Sequence, residues 1–479
     1  MDITLAGWFL LPLASAAFFL SPSWLYFLTI FLIPFSATAV ANTESTGLPA
    51  VMFVGCLWLC REIVVRVSFR RLKVPAHVRM FGGLGMFYVL CLGFSLFVPL
   101  LMTGTVILKS PILNDPQTTA LGFSVRNITQ YLYVCFWIIA AWLIVIRNLT
   151  LEAVGTTLKI LLISAVFVCC WGLLQWASYE MGFPYPDTLF NSSASEFARG
   201  YTGELQEIGV KRITSVAVEP SILAQYLLSV LPVVFCAVWY RRPILSVAGD
   251  RAVLILVLLV LLLSASATSY LGVAFFILGV PFALRLWRRG LFSYVSWVVT
   301  LGLAVIVTIV LVPKLSSALS DQVVDKIGAY SVQERLYTTY NAWNYFLEFP
   351  WLGLGWGSVT SHDLIVNLLA NSGLIGLFAF SLLVLHPAVG LKSALKRCVQ
   401  ERECGGSECA WGTGIFLSFL LMLFVSAVGG FGYVFGHFWF ILAMVVSLGR
   451  LISSDKSGKG HGVPGTTPAQ VSSWERHCC

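Results

Sequence analysis

A stripe of polar residues follows a histidine in the C-terminal third of an otherwise apolar sequence. From Asp363 onwards a polar side chain recurs every four residues, at Asn367 and Asn371. On a helix this spacing places all three side chains on one face, over about 12 Å of its length. Polar residues within a membrane usually face a bundle interior or a wet cavity. The alternative is that they serve only as interhelical hydrogen-bond partners.

His362, directly before this stripe, has the chemistry of a general base. Ser361 is a natural N-cap, which would place His362 in the first turn of a helix. The positive end of that helix disfavours imidazolium, while Asp363 favours it. A largely neutral His362 could then accept a proton from a hydroxyl group. The alternative is a purely interfacial histidine, and His437 is a second histidine predicted near the same face.

A second polar segment, 209–221, combines cations with the predicted start of a helix. Pro220 suits the first turn of a helix because its missing N–H is not needed there. Lys211 and Arg212 stand shortly before it, and Arg199 lies further upstream. A helix N-terminus with two or three cations can cradle a pyrophosphate group. The alternative is that these cations contact lipid headgroups or pair with nearby glutamates.

Besides Asp363, which is itself a candidate for substrate binding, two further charged residues could contact the substrate. Glu219 would lie at the start of the same helix, either as a capping carboxylate or as a partner that holds Arg212 in place. Arg335 is predicted to lie on an external amphipathic helix whose apolar residues rest on the membrane interface. Arg335 could contact a phosphate or a sugar, or it could pair with a neighbouring glutamate as part of the structure.

The elements that must position these residues are predicted to be membrane helices. The chain has 479 residues, of which 58% are hydrophobic and 11% charged, with a mean hydropathy of +0.86. A soluble protein carries about 25% charged residues. Apolar stretches of about 20 residues recur along the chain, as in helices that cross a bilayer. We predict an all-α polytopic bundle of 12–13 spans over residues 1–450, followed by a disordered cytoplasmic tail at 451–479.

The basic residues predict the direction of the spans. They cluster in short segments between the apolar stretches, which is typical of cytoplasmic loops and does not indicate nucleic-acid binding despite the net charge of +8. If the spans alternate, every basic cluster falls on one side. The two long loops, about 178–220 and 314–361, then lie outside, where function is expected. The first sixty residues contain no Lys or Arg, so the stretches at 6–20, 23–40 and 48–60 could form two or three spans.

Other familiar signals are missing from the sequence. The twelve cysteines lie almost wholly within predicted spans or basic segments, which argues against a disulfide framework. There is no phosphate-binding loop, no metal-ligating Cys/His set and no Asp-x-Asp pair near a loop. We therefore expect neither a metal nor another cofactor, and an activated substrate would have to bring its own leaving group.

The order of the motifs carries a resemblance to a known family. Arg335 is followed by Phe349-Pro350-Trp351-Leu352-Gly353-Leu354-Gly355-Trp356-Gly357, then by His362 and a span that runs toward Gly373-Leu374-Ile375-Gly376. This order resembles the bacterial O-antigen ligase and polymerase superfamily, in layout over roughly residues 80–450. The segment from Arg212 to Ser221 resembles the matching external segment of exopolysaccharide and O-antigen polymerases.

The resemblance implies a metal-independent glycosyltransferase in the bacterial inner membrane. Such an enzyme takes a glycan from an undecaprenyl diphosphate carrier on the periplasmic face and joins it to an acceptor sugar hydroxyl. By matching position, His362 would deprotonate or orient the acceptor. Arg212, helped by Lys211 and Arg199, would hold the diphosphate that leaves. The implied partners are the lipid-linked donor, the acceptor glycan and membrane lipid, with a chain-length regulator and a flippase as further candidates and no nucleic acid.

Two departures from the family pattern bear on the activity. Asp363 follows His362 where the family often has asparagine. Ligases tend to carry an arginine in a short external turn, and the matching turn at 264–270 has none. This favours a polymerase that extends a lipid-linked polysaccharide over a ligase that transfers O-antigen to lipid A–core. A polysaccharide flippase or transporter is the third alternative, although we find no convincing internal repeat of the kind transporters show.

Overall fold

The computed structural model describes residues 2–44, 46–68, 74–108, 117–194, 212–284, 330–400, 406–429 and 432–454. Over these residues the protein is an all-α polytopic membrane bundle, as predicted. The helices are α1 Leu5–Leu20, α2 Pro22–Phe31, α3 Ala50–Ser68, α4 Ala76–Ser95, α5 Val98–Leu101, α6 Val125–Arg147, α7 Leu151–Met181, α8 Pro220–Trp239, α9 Val247–Leu263, α10 Ala267–Leu284, α11 Tyr330–Glu348, α12 Leu364–Gln400, α13 Ser407–Gly429 and α14 Gly436–Ser454. The strands are β1 Asp2–Ile3, β2 Ala39–Asn42, β3 Gly47–Pro49, β4 Val106–Leu108 and β5 Thr118–Ala120.

Within the described ranges, seven helical segments are long and apolar enough to cross a membrane. These are Ala76–Leu101, Val125–Arg147, Leu151–Met181, Pro220–Trp239, Leu364–Cys398, Ser407–Gly429 and Gly436–Ser453. Each coincides with a predicted span to within a few residues at most ends. A further apolar stretch of the sequence, at 291–313, also predicts a span. This stretch and the predicted tail beyond 454 lie outside the described residues, so the total of 12–13 spans stays a prediction.

The ends of the helices meet in two layers. At one layer Arg147 Nε donates to Glu62 Oε1 at 2.8 Å and Arg147 Nη1 donates to Ser23 Oγ at 3.3 Å, which joins α6, α3 and α2. Trp411 Nε1 donates to the carbonyl of Arg242 at 3.1 Å in the same layer. We call this layer the basic end, because it carries Arg61, Arg79, Arg147, Arg242, Arg251, Lys396, Arg397 and Arg450. The opposite layer is the loop end, and it holds the residues that connect α7 to α8 and α11 to α12.

The N-terminal stretch at 23–40 is not a single helical span. Helix α2 ends at Phe31, shortly before Pro34, and β2 then pairs with β1 and β3 in an antiparallel sheet. Asn42 Nδ2 donates to the carbonyl of Ser192 at 2.7 Å, which places this sheet at the loop end. The chain therefore crosses the bundle three times within its first 68 residues, the second time partly as non-helical backbone. Proline and tertiary pairing override the apolar pattern there.

Helix α8 runs through the centre of the bundle. Every residue from 220 to 237 is buried, which matches a helix that is hydrophobic all round. Glycines allow its neighbours to approach closely: a methyl group on Gly414 of α13 would lie 2.8 Å from the Cα of Val233. The start of α8, shortly after Arg212, is thus packed among the surrounding helices.

A disulfide joins Cys398, near the end of α12, to Cys409, near the start of α13. The two helices are consecutive and antiparallel, so a short connection brings these ends together at the basic end. The argument against a disulfide framework therefore did not anticipate this single pair. The remaining cysteines in the described ranges are free thiols.

Candidate functional site

The helix after His362 is interrupted at a glycine, and the Pro-Gly motif at 349–357 packs against this interruption. Gly373, inside α12, has φ 63° and ψ −164°, a backbone conformation that only glycine adopts readily. The interruption releases backbone donors: Leu374 N donates to the carbonyl of Pro350 at 2.8 Å, and Ile375 N donates to that of Trp351 at 3.3 Å. Pro350 and Trp351, at the start of the motif, therefore hydrogen-bond to the backbone at the break in α12.

The motif glycines let this segment turn tightly against other helices. Gly353, Gly355 and Gly357 all have positive φ. A methyl group on Gly355 would lie 2.9 Å from the carbonyl oxygen of Ser95 on α4. Asn127 Nδ2, on α6, donates to the carbonyl of Trp356 at 2.6 Å. The motif is thus a scaffold that ties α4, α6 and α12 together immediately before His362.

The predicted asparagine stripe faces inward and holds the loop that precedes His362. Asn371 accepts a hydrogen bond from Val359 N at 3.0 Å and donates to the Val359 carbonyl at 2.9 Å. Asn367 Nδ2 donates to the carbonyl of Ser361 at 3.1 Å, and its Oδ1 accepts from the hydroxyl of Tyr433 at 2.6 Å. Both asparagines are buried. They position the loop rather than bridge helices alone.

His362 lies just before α12 and not in its first turn. The helix begins at Leu364, and Asp363 Oδ1 accepts from Val366 N at 2.9 Å in the manner of an N-cap. Ser361 Oγ accepts instead from Asp363 N at 3.3 Å. The prediction that Ser361 caps the helix is therefore wrong, because aspartate two residues later caps equally well. One carboxylate oxygen of Asp363 is thus occupied by this capping hydrogen bond.

A threonine on α11 fixes the imidazole of His362. Thr338 Oγ1 lies 3.1 Å from His362 Nδ1 and donates its own proton to the carbonyl of Arg335 at 3.0 Å. When the hydroxyl proton lies on the Arg335 carbonyl, Nδ1 carries the proton of the imidazole and Nε2 carries the lone pair. Burial, and secondly the positive charge of Arg335, lower the pKa of His362 to about 4. His362 is thus a neutral base at physiological pH.

Arg212 lies directly before the central helix, close to other charged and polar groups. Pro220 is the first residue of α8, as predicted, and Glu219 stands at the N-cap position. Burial lowers the pKa of Arg212; the carboxylate of Glu219 opposes this, and the charge of Arg335 adds to it. Arg212 Nε is buried without a hydrogen-bond partner in the described part of the chain. A guanidinium in this situation favours an anionic ligand.

Arg335 links the segment that carries Arg212 to the segment that carries His362. Its charge acts on both Arg212 and His362, which places the three side chains at the same end of the bundle. Arg335 lies on α11, whose outward face is apolar, as predicted for an interfacial helix: Leu336, Tyr340, Trp343 and Leu347 are exposed. The predicted site residues Lys211 and Arg199 lie outside the described residues.

The segment that carries Arg212 is fixed by a buried glutamine that the sequence did not single out. Gln175 Oε1, on α7, accepts from Thr214 N and Ser215 N, each at 2.8 Å. Ser215 has φ 54°, so this turn depends on those two hydrogen bonds. Ser215 Oγ also donates to the carbonyl of Val168 at 2.8 Å. No local pattern around Gln175 signals this role, because the partner lies about forty residues away.

Arg126 is a third arginine at the loop end that the sequence reasoning missed. It begins α6 and hydrogen-bonds to Thr360, two residues before His362. It lines a pocket of about 130 Å³ together with Gln130, Trp356, Thr360, Asn367, Asn371 and Tyr433. Its position in the sequence could have indicated a role. Basic residues concentrate at the cytoplasmic ends of spans, and Arg126 stands at the predicted outer end of one.

The described polar side chains can therefore offer a neutral base and several cations at one end of a membrane bundle. The sequence matches no protein-family model and no curated protein. These comparisons therefore assign the chain to no family, and the resemblance of the motifs stays a prediction.

Proposed function

We propose that this protein is a membrane glycosyltransferase that polymerises glycan units carried on a lipid diphosphate, namely undecaprenyl diphosphate. The observation that supports it most directly is that Arg335 acts electrostatically on both Arg212 and His362. A cation group suited to a diphosphate thus lies beside a neutral imidazole suited to a sugar hydroxyl. The apolar bundle and the interfacial helix α11 give a lipid-linked substrate access from the bilayer.

The reaction can be assigned to these side chains with a complete proton balance. His362 Nε2 accepts the proton of the acceptor hydroxyl while the hydroxyl oxygen bonds to the anomeric carbon of the donor. The bond between that carbon and the diphosphate oxygen breaks, and the diphosphate leaves with the electron pair. Arg212 and Arg335 stabilise the charge that develops on the leaving group. The proton on His362 passes afterwards to water or to the product diphosphate.

The external turn between α9 and α10 favours the polymerase over the ligase. This turn carries no arginine; it is closed by a hydrogen bond of 2.6 Å between Ser264 and Ser269. The next residue, Tyr270, lies close enough to Arg212 to interact with it electrostatically. The turn therefore faces the site with a phenol where ligases tend to have a cation.

Deletion of the gene, followed by analysis of lipid-linked glycans, tests the activity. We expect single glycan units to accumulate on the carrier, and polymer to return with the wild-type gene but not with His362→Ala. His461→Ala, in the predicted C-terminal tail, is the matched control and should restore polymer. Polymer that accumulates on the carrier would instead identify a ligase. Units trapped on the cytoplasmic face would identify a flippase, and normal chain lengths with His362→Ala would exclude the proposed base.

A further inference from the structure

A cavity with basic and apolar walls opens between α4, α12 and α14 at the basic end. Its volume is about 420 Å³, within the range of small-molecule sites. The charged and titratable side chains that line it are His77, His386, Arg397 and Arg450, with no acidic residue among its lining residues. It lies at the opposite end of the bundle from His362, so the proposed transferase site does not use it.

Two buried polar atoms beside this cavity have no hydrogen-bond partner in the described part of the chain, Arg450 Nη1 and His77 Nε2. The charge of Arg450 also acts on His77, so the two groups are near each other. A guanidinium N–H buried without an acceptor is costly, which favours an acceptor that the described residues do not supply at Arg450. The matching ligand is an anion with several oxygens.

The remaining walls indicate what that anion is attached to. Met80, Phe81, Leu391, Val445 and Val446 form an apolar surface beside the basic groups. A free inorganic anion would gain nothing from this surface, whereas an amphiphile would cover it. The cavity also lies where helices end at a basic boundary, the depth at which lipid headgroups are found.

We propose that this cavity binds the phosphate headgroup of an anionic membrane lipid, with Arg450 and Arg397 on the phosphate and the apolar wall against the lipid's glycerol and first acyl carbons. Such a lipid would bridge α4, α12 and α14. Its binding does not depend on the transferase activity, because none of its contacts reaches the loop end.

The test is native mass spectrometry of the purified full-length chain with phosphatidylglycerol, phosphatidylcholine or inorganic phosphate. Arg450→Gln and Arg397→Gln are compared with Lys396→Gln, which removes the neighbouring exposed charge on α12 but none that lines the cavity. We expect preference for phosphatidylglycerol, and about fivefold weaker binding for each arginine variant, as one headgroup contact is lost. Lys396→Gln should bind like the wild type.

Three results would overturn the assignment. Equal binding of phosphatidylcholine would show that the charges are not used. Saturating binding of inorganic phosphate, with no further gain from the lipid, would assign the site to a free anion. Unchanged affinity in Arg397→Gln, whose exposed side chain can be replaced without disturbing the core, would place the lipid elsewhere. His362→Ala should retain wild-type lipid binding whatever its effect on glycan transfer.

Discussion

At the scale of single residues, the chemistry depends on an imidazole kept neutral by its surroundings. Thr338 orients the ring, and burial together with Arg335 disfavours its charged form. A base in this state is ready to take a proton, but its low pKa makes it a weak base in the resting protein. Bringing a negatively charged diphosphate beside Arg335 would offset that charge and strengthen the base when the donor is bound.

The pH dependence of transfer tests this description of His362. Its pKa is lowered to about 4, so the ring stays neutral as the pH falls from 7 to 5, and the acid limb of kcat/KM should lie near pH 4. Arg335→Gln removes a charge that lowers the pKa, so the acid limb should move upward. The measurement is kcat/KM for polymer formation by purified enzyme in liposomes, from pH 7 to below pH 4.

Arg251→Gln, an exposed arginine at the basic end, is the control and should leave the acid limb in place. An unshifted acid limb in Arg335→Gln would contradict the role of that charge.

The lowered pKa of His362 also predicts how the unfolding free energy changes with pH. An unfolded chain takes up the proton near pH 6.5, whereas the folded protein resists it until about pH 4. The contribution to stability is therefore complete above pH 6.5 and is lost as the pH falls toward 4.

At the scale of elements, the membrane spans could be predicted from the sequence better than the helix break and the hydrogen bonds that join one span to another segment. The apolar stretches predict spans at 128–146 and 221–240, which match α6 and α8 to within three residues, because a bilayer imposes length and composition directly. The break at Gly373 could not be predicted, since helical residues on both sides continue the apolar pattern. The break exists because a distant segment, Pro350–Leu352, supplies hydrogen-bond partners.

For the candidate site, too, the sequence predicted some residues and not others. The residue types of Arg212, Glu219, Arg335 and His362 were recognisable from charge and position, and the structure gathers Arg212 and His362 around Arg335. The groups that hold them were not recognisable. Gln175 and Thr338 contact loop residues far away in the sequence, and an isolated glutamine or threonine within a helical pattern carries no signal of its partner.

The break in α12 should be the most sensitive point of the scaffold. Gly373→Ala places a methyl group against the backbone of Trp351 and forces alanine into a conformation it rarely adopts. We expect a loss of about 1–3 kcal/mol or more in unfolding free energy, together with loss of transfer as His362 moves. Thermal unfolding in detergent and the transfer assay measure the two effects.

Gly83→Ala is the matched control for this substitution. Gly83 lies in α4, and a methyl group there would meet nothing within 4 Å. Its replacement should leave stability unchanged or slightly raise it, since alanine is the better helix former. A Gly373→Ala protein that unfolds at the same temperature as Gly83→Ala would mean that the break is not required for the fold.

At the scale of the whole molecule, the direction of the bundle decides whether the site can meet its substrate. The basic end carries most arginines of the described chain, and the loop end carries Arg126, Arg212 and Arg335, each of which lies in or beside the candidate site. The charge bias therefore predicts that the basic end faces the cytoplasm. The arginines that break the bias are the ones proposed to bind a ligand.

Cysteine labelling tests this orientation. Thr43→Cys lies at the loop end and Arg251→Cys at the basic end, and both side chains are exposed. A membrane-impermeant maleimide should label Thr43→Cys in right-side-out vesicles, and Arg251→Cys only in inverted vesicles, each above the signal of the unsubstituted chain. The reverse pattern would place His362 on the cytoplasmic side. A transferase that acts on glycans already carried to the periplasm could not then use this site, and the proposed function would fail even if His362 proved essential.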